Sequence, residues 1–213
     1  MQLLVSEIFS SIQGESSYAG YPTLFIRLAG CNLRCDYCDT PYAYSGGESW
    51  SMDSILDKAR KAGLSMVTVT GGEPFRQRPA PVLLNTLAKE GFQPTVETNG
   101  SFPLPEQRRY VTVMDIKTPG SGEAMTFHGP NVARLQAGDE VKFVITDRRD
   151  FEWAVAKTFE YQLREKQIHV FFAPAAERLA AQRLANWLLS EKLHVRLQLQ
   201  LHKILWPELD QGV

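Results

Sequence analysis

Cysteine is nearly missing from this chain of 213 residues: three occur, all between positions 31 and 38. An odd number of clustered thiols cannot form an internal disulfide framework. Long apolar stretches are also missing. No run approaches the ~20 residues that a membrane-spanning helix needs, and the opening MQLLVSEIFSSIQGE lacks the basic start and apolar middle of a secretory signal. The expected compartment is therefore the cytoplasm, where thiols stay reduced, with no membrane partner. Nor does one sign of charge prevail. Lys and Arg number 23 against 24 Asp and Glu, for a formal net charge of -1, which gives no general attraction to nucleic acid. The nearest thing to a basic patch, Gln107-Arg108-Arg109, reads as a solvated loop end. Repeats, low-complexity tracts and linkers are absent as well, so a single domain over 1–213 is expected.

What remains is 44% hydrophobic residues, arranged in short runs. Strand-like segments fall at 23–28, 66–70, 95–98, 111–116, 140–145, 168–172 and 195–201. Between them lie helical patterns. Met52, Ile55, Leu56 and Ala59 share a helix face, with Ser51 as N-cap and Gly63 as stop. A second helix follows the prolines at 79 and 81 and ends near Gly91, and Leu184, Trp187 and Leu188 mark a third. The connection before Val111 is short and rich in proline and charge, so a helix is expected to be missing there. Strands alternating with helices predict an α/β fold, a partial (β/α) barrel of about six parallel strands with its site at their carboxyl ends. The cysteines directly follow the strand at 23–28.

Their spacing is C-x3-C-x2-C: Cys31, Cys35 and Cys38. A structural zinc site normally takes four protein ligands, and none of His128, His169, His194 or His202 is close in sequence. A cubane iron–sulfur cluster held by three thiolates keeps one iron open to a ligand. Zinc, or unrelated buried thiols, are the alternatives. VTVTGGEP puts Gly71-Gly72 straight after a strand, either a tight turn or a close approach to a ligand. VETNG sets Glu97 in an apolar strand, where a carboxylate needs hydrogen-bonding partners. HVRLQLQLHK alternates strictly, with Arg196, Gln198, Gln200 and His202 on one side. This is either an edge strand with one wet face or a polar wall closing a pocket.

The cysteine motif, with Tyr37 before its last thiol, resembles the signature of the radical S-adenosylmethionine superfamily. IQGE, FIRLAGCNLRCDYCDT, TGGEP, VETNG, DIKTPGSG and RLQLQLHK together closely resemble the 7-carboxy-7-deazaguanine synthase family within it. That resemblance implies that Cys31, Cys35 and Cys38 hold a [4Fe–4S] cluster. Its open iron binds the methionine end of S-adenosylmethionine, and reductive cleavage gives a 5′-deoxyadenosyl radical. Tyr37, Cys38, Asp39, Gly72, Asp115, Ile116 and Lys117 are implied as S-adenosylmethionine contacts, with Glu73 beside Gly72. The sequence reads Asp-Ile-Lys where some family members have Ser-Pro-Lys. The implied reaction converts 6-carboxy-5,6,7,8-tetrahydropterin to 7-carboxy-7-deazaguanine with loss of ammonia, in the making of queuosine and other 7-deazapurines. For it, Ile12, Gln13, Gly14 and Thr70 are implied against the pterin, Glu15 and Glu97 beside it, Arg27 on its carboxylate, and Thr40 on Mg²⁺. Arg27 alone also reads as a strand-end ion pair, and Thr40 as a loop cap. An electron donor such as a flavodoxin or ferredoxin, and a homodimer, complete what the resemblance implies. Two rival readings are a glycyl-radical activating enzyme and a non-catalytic zinc or iron–sulfur module.

Overall fold

The computed structural model describes residues 1–213. Strand β1 (Gln2–Ile12) pairs antiparallel with β2 (Pro22–Leu28), and β3 (Glu48–Ser51) flanks β1 on its other side before α1 (Met52–Ala62). The chain continues as β4 (Met66–Gly71), α2 (Ala80–Lys89), β5 (Gln93–Thr98), β6 (Val111–Asp115), β7 (Glu140–Ile145), α3 (Arg148–Glu160), β8 (His169–Pro174), α4 (Ala181–Glu191), β9 (Arg196–Leu197) and α5 (Leu201–Leu205). One sheet runs β3-β1-β2-β4-β5-β6-β7-β8-β9, and every pairing from β2 to β9 is parallel. This is the expected partial (β/α) barrel, extended at one edge by an antiparallel pair.

Local chemistry sets several boundaries. Ser51 Oγ accepts the Ser54 N–H at 3.1 Å and starts α1; Gly63 ends it at φ +67°. Asp147 caps α3 in the same way, accepting the Asp150 N–H at 2.9 Å. No α-helix joins β5 to β6, as the proline-rich connection implies.

Along each inner strand, side chains alternate between two environments. Leu24, Ile26, Leu28, Val67, Val69, Val96, Met114, Val141, Phe143 and Ile145 join Leu83, Leu84, Leu87, Phe151 and Leu184 from the helices in one buried apolar cluster. The intervening residues include Arg27, Thr70, Glu97, Asp115 and Lys142, and they line a cavity.

Three sequence expectations need correction. The strands expected from the sequence begin at 23, whereas residues 2–12 already form β1, because pairing with β2 supplies partners that local pattern does not reveal. The strict alternation over 195–201 yields only two strand residues, Arg196 and Leu197; the Gln198 N–H still donates to the Phe172 carbonyl at 2.9 Å, but the chain then turns into α5 at Leu201, with the Gln198 and Gln200 side chains bonded to Glu15. Arg108 is no solvated loop end: its side chain is buried against Asp139, which also accepts the Thr112 and Gln136 N–H groups.

Candidate active site

The three cysteines leave β2 on a loop that crosses the mouth of the sheet. The Gly71-Gly72 turn after β4 lies against that loop: the Gly72 N–H donates to the Leu28 carbonyl at 3.0 Å, and the Glu73 N–H to the Gly30 carbonyl at 2.9 Å. A Cβ on Gly72 would stand 2.8 Å from Cys31 Cβ, and Gly71 holds φ +143°, so both glycines are required by this close approach. The turn reading of this motif is what the geometry shows, with the close approach made to the cysteine loop. Glu73 is fully buried, receiving the Phe75 and Asn99 N–H groups and the Thr98 hydroxyl; burial nonetheless pushes it up to about 6.

Cys31, Cys35 and Cys38 line one cavity of about 220 Å³. Cys31 Sγ faces the Leu33 N–H at 3.4 Å and Asn99 Nδ2 at 3.9 Å. Burial raises the Cys31 thiol and pushes Cys35 up to about 11. Three clustered thiols are the donor set of a cluster in which each thiolate meets a different iron.

Sheet register builds the cavity floor. Glu7 lies opposite Arg27 and Arg27 beside Thr70, and the Thr70 hydroxyl donates to Glu97 Oε2 at 2.9 Å. Gln13 is buried beneath: its Nε2 reaches Thr68 Oγ1 at 3.1 Å and Glu97 Oε1 at 3.4 Å, and its Oε1 accepts the Glu15 N–H. Its side chain therefore orients the two glutamates. Further along, Asp115 pairs in register with Lys142. Lys142 Nζ is 2.6 Å from Glu15 and 3.5 Å from Asp115, while Lys117 Nζ is 3.0 Å from Asp115.

This buried array of three carboxylates and two ammonium groups fixes its own charge states. Burial opposes ionisation of Glu15, but Lys142 and Gln200 outweigh it and hold the carboxyl below its usual range. Asp115 is likewise lowered, because Lys117 and Lys142 overcome burial. Glu97 goes the other way: burial, with Glu15 adding repulsion, raises it above the ordinary value. Lys142 stays firmly cationic despite burial, through Glu15, Asp115 and Glu97.

The C-terminal segment closes the cavity. Gln198 Nε2 and Gln200 Nε2 donate to Glu15 at 2.9 and 2.8 Å, and Lys203 Nζ lies 3.0 Å from Asp39. Gln200, His202 and Lys203 line the cavity as a polar wall, while Arg196 and Leu197 form the edge strand β9. Burial opposes ionisation of Asp39, but Lys203 and Lys142 overcome it and lower its carboxyl to about 2. Ile12, Gln13, Glu15, Arg27, Tyr37, Asp39, Thr40, Thr70, Gly72, Glu97, Asp115 and Lys117 all line the cavity with the cysteines. Gly14 and Ile116 do not: Gly14 is covered by the His202 imidazole, and Ile116 is buried in the apolar cluster. Lys142 escaped the sequence reading. Its signal was a pair of charges, Glu140 and Lys142, two residues apart in an otherwise apolar strand.

A parallel sheet of this order, with three thiols and a paired glycine turn at its carboxyl edge, defines a radical S-adenosylmethionine protein. The Radical SAM superfamily model matches residues 25–111. Identity is 40% over 224 residues to the 7-carboxy-7-deazaguanine synthase of Koribacter versatilis (strain Ellin345), covering 98% of this chain and 99% of that one. It is 38% over 216 residues to that of Chlorobaculum tepidum, covering 99% and 97%. The chain belongs to the 7-carboxy-7-deazaguanine synthase family. Its fold also matches the crystal structure of QueE from Escherichia coli, with TM-score 0.77 and 23% identity over 94% of each chain.

Proposed function

We propose that this chain converts 6-carboxy-5,6,7,8-tetrahydropterin to 7-carboxy-7-deazaguanine, contracting a ring and releasing ammonia, in the making of queuosine and other 7-deazapurines. The observation that carries this reading is a single cavity holding the three thiols together with Arg27, Glu15 and Glu97. A protein substrate, as for a glycyl-radical activating enzyme, would leave that guanidinium and those carboxylates without a role.

The donor set fits the cofactors. Cys31, Cys35 and Cys38 suit a [4Fe–4S] cluster, and Asp115 Oδ1, buried in the cavity wall without a hydrogen-bond partner, suits a hydroxyl of S-adenosylmethionine. Gly72 offers its carbonyl to the methionine ammonium; Tyr37, Asp39 and Lys117 line the same side. Bound together, cluster and S-adenosylmethionine supply a hydrogen-abstracting carbon radical once an electron donor such as a flavodoxin or ferredoxin reduces them. The chain's own residues hold the substrate to that chemistry. Arg27 anchors the carboxylate by two charge-assisted hydrogen bonds. Glu97, ionised, accepts the pterin N–H groups, with Thr70 fixing its other oxygen. Thr40 would offer its hydroxyl to Mg²⁺; its one side-chain hydrogen-bond partner is Cys38 Sγ, at 3.8 Å, which leaves the oxygen available. The C-terminal wall excludes water from the pocket.

One domain over 1–213 and a homodimer belong to the same reading; the exposed Ile204, Leu205 and Leu209 near the C-terminus support the latter. No helix is long and apolar enough to cross a membrane. The test is anaerobic incubation of cluster-reconstituted protein with 6-carboxy-5,6,7,8-tetrahydropterin, S-adenosylmethionine, Mg²⁺ and reductant. Mass spectrometry should show 7-carboxy-7-deazaguanine; a fully reconstituted protein that leaves the pterin unchanged would overturn the assignment.

A further inference from the structure

Arg27 does not stand alone. Across the β1–β2 ladder Glu7 sits directly opposite it, and the register is irregular between Val5 and Glu7. An extra residue there turns Glu7 to the cavity side, as bulges beside functional sites commonly do. Glu7 Oε1 accepts Arg27 Nε at 2.6 Å and the Tyr42 hydroxyl at 2.8 Å, while Oε2 accepts the Gly212 N–H at 3.2 Å. The guanidinium carbon lies 5.8 Å from the Phe9 ring centre and 5.9 Å from that of Tyr42, and Phe9 is itself stacked on Phe25 at 5.1 Å. The side chains of Arg27 and Glu7 are only 13% and 17% exposed.

A guanidinium can grip a carboxylate in two ways, from its side through Nε and one Nη, or from its end through both Nη atoms. Glu7 occupies Nε, and no protein group bonds either Nη. We propose that Glu7 is a positioning residue: it closes the side approach, so that Arg27 receives the substrate carboxylate end-on. This inference rests on the reading of Arg27 as the carboxylate anchor. Its consequence is geometric. The pterin carbon that carries the carboxylate is placed by the direction of the guanidinium, and a small displacement of a reacting atom lowers turnover sharply. Charge alone predicts the reverse, because Glu7 is an anion beside an incoming anion, and removing it would strengthen binding.

The experiment compares Glu7→Gln, Glu7→Asp, Glu7→Ala and Arg27→Met in the cluster-loaded enzyme, reading kcat and KM for 6-carboxy-5,6,7,8-tetrahydropterin and, without turnover, the Kd of 7-carboxy-7-deazaguanine. Glu7→Gln keeps an acceptor for Nε and should retain kcat within about threefold. Glu7→Ala and Glu7→Asp withdraw it, and should lower kcat/KM about tenfold or more, the size expected for a hydrogen bond to a charged group, with kcat falling as well as KM rising. Adding Glu7→Ala to Arg27→Met should cause no further loss, because both act through one contact. Tighter product binding in Glu7→Ala, normal kinetics in Glu7→Asp, or a full additive loss in the double variant would each overturn the proposal. If Glu7→Ala fails to hold its cluster, the Gln and Asp variants carry the same test. Normal kinetics in Arg27→Met is a separate outcome: it removes the carboxylate anchor itself, and the positioning role with it.

Discussion

Lys142 and Phe143 are adjacent on β7 and belong to different molecules in a physical sense. Phe143 is fully buried among Phe172, Trp153 and the helices, edge-on to both rings. Lys142, one peptide away, faces three carboxylates across a cavity. The same contrast repeats on β2, where Ile26 is buried in the core and Arg27 enters the site, and on β5, where Val96 and Glu97 divide likewise. One face of the sheet is held by area removed from water. The other holds ionisable groups that burial alone would keep neutral, stabilised by ion pairs at Glu15, Asp115, Lys117 and Lys142 and by the Thr70 and Gln13 hydrogen bonds at Glu97. Stability and chemistry are therefore written on alternate residues of the same strands.

That division can be broken most severely at the cluster loop. Cys35→Ala should lose cluster and turnover completely while unfolding as the parent apoprotein does; iron and sulfide analysis beside thermal melting checks both halves. An active Cys35→Ala enzyme would end the radical assignment.

Next in size is Phe143→Ala. Emptying this core position should cost about 3–5 kcal/mol of stability, measured by denaturant unfolding. The kcat/KM of the folded protein should stay near the parent value, since Phe143 touches nothing in the cavity. A catalytic loss without a stability loss would show that the two faces are not separable.

Lys142→Met sharpens the contrast from the other side of the same peptide. Removing this cation takes away the charge that lowers Glu15 and restrains Glu97. Both carboxyl pKa values must then rise, so their ionised forms exist only at higher pH. The acid limb of kcat/KM, which in the parent should already lie above the ordinary glutamate value because of Glu97, should move upward. A pH–rate profile with an unmoved limb would remove Lys142 from the site's electrostatics.

The smallest effect concerns Thr40. Thr40→Val, or chelation of Mg²⁺, should slow turnover while S-adenosylmethionine affinity stays nearly unchanged by calorimetry. A rate indifferent to both would withdraw the magnesium assignment.

Much of this was legible along the chain. Local signals suffice where chemistry is local: Ser51 and Gly63 bracket α1, the three cysteines sit within eight residues, and the glycines of TGGEP announce a close approach. The parallel strands were legible because apolar runs between helices have few other uses. β1 was not, since Ser6, Glu7, Ser10 and Ser11 interrupt its apolar pattern and its strand character depends on β2 and β3. Over 195–201 the alternation overstated the strand: the ladder with β8 is two residues long, and the side chains of Gln198 and Gln200 are bonded to Glu15.

By itself the sequence determined the alternation of strand and helix, the thiol triplet and the loop that carries it, because these rest on spacing of a few residues and on the intrinsic geometry of serine caps and glycine turns. Only the tertiary structure decided which distant charges meet. Glu15 and Lys142 are 127 positions apart, Gln200 and Glu15 are 185, and Glu7 and Arg27 meet through a bulge in an antiparallel register. The reason is that, apart from Lys117 beside Asp115, these buried charges have no partner nearby in sequence to specify them. Their state is set by whatever the sheet and the C-terminal wall bring within hydrogen-bonding reach.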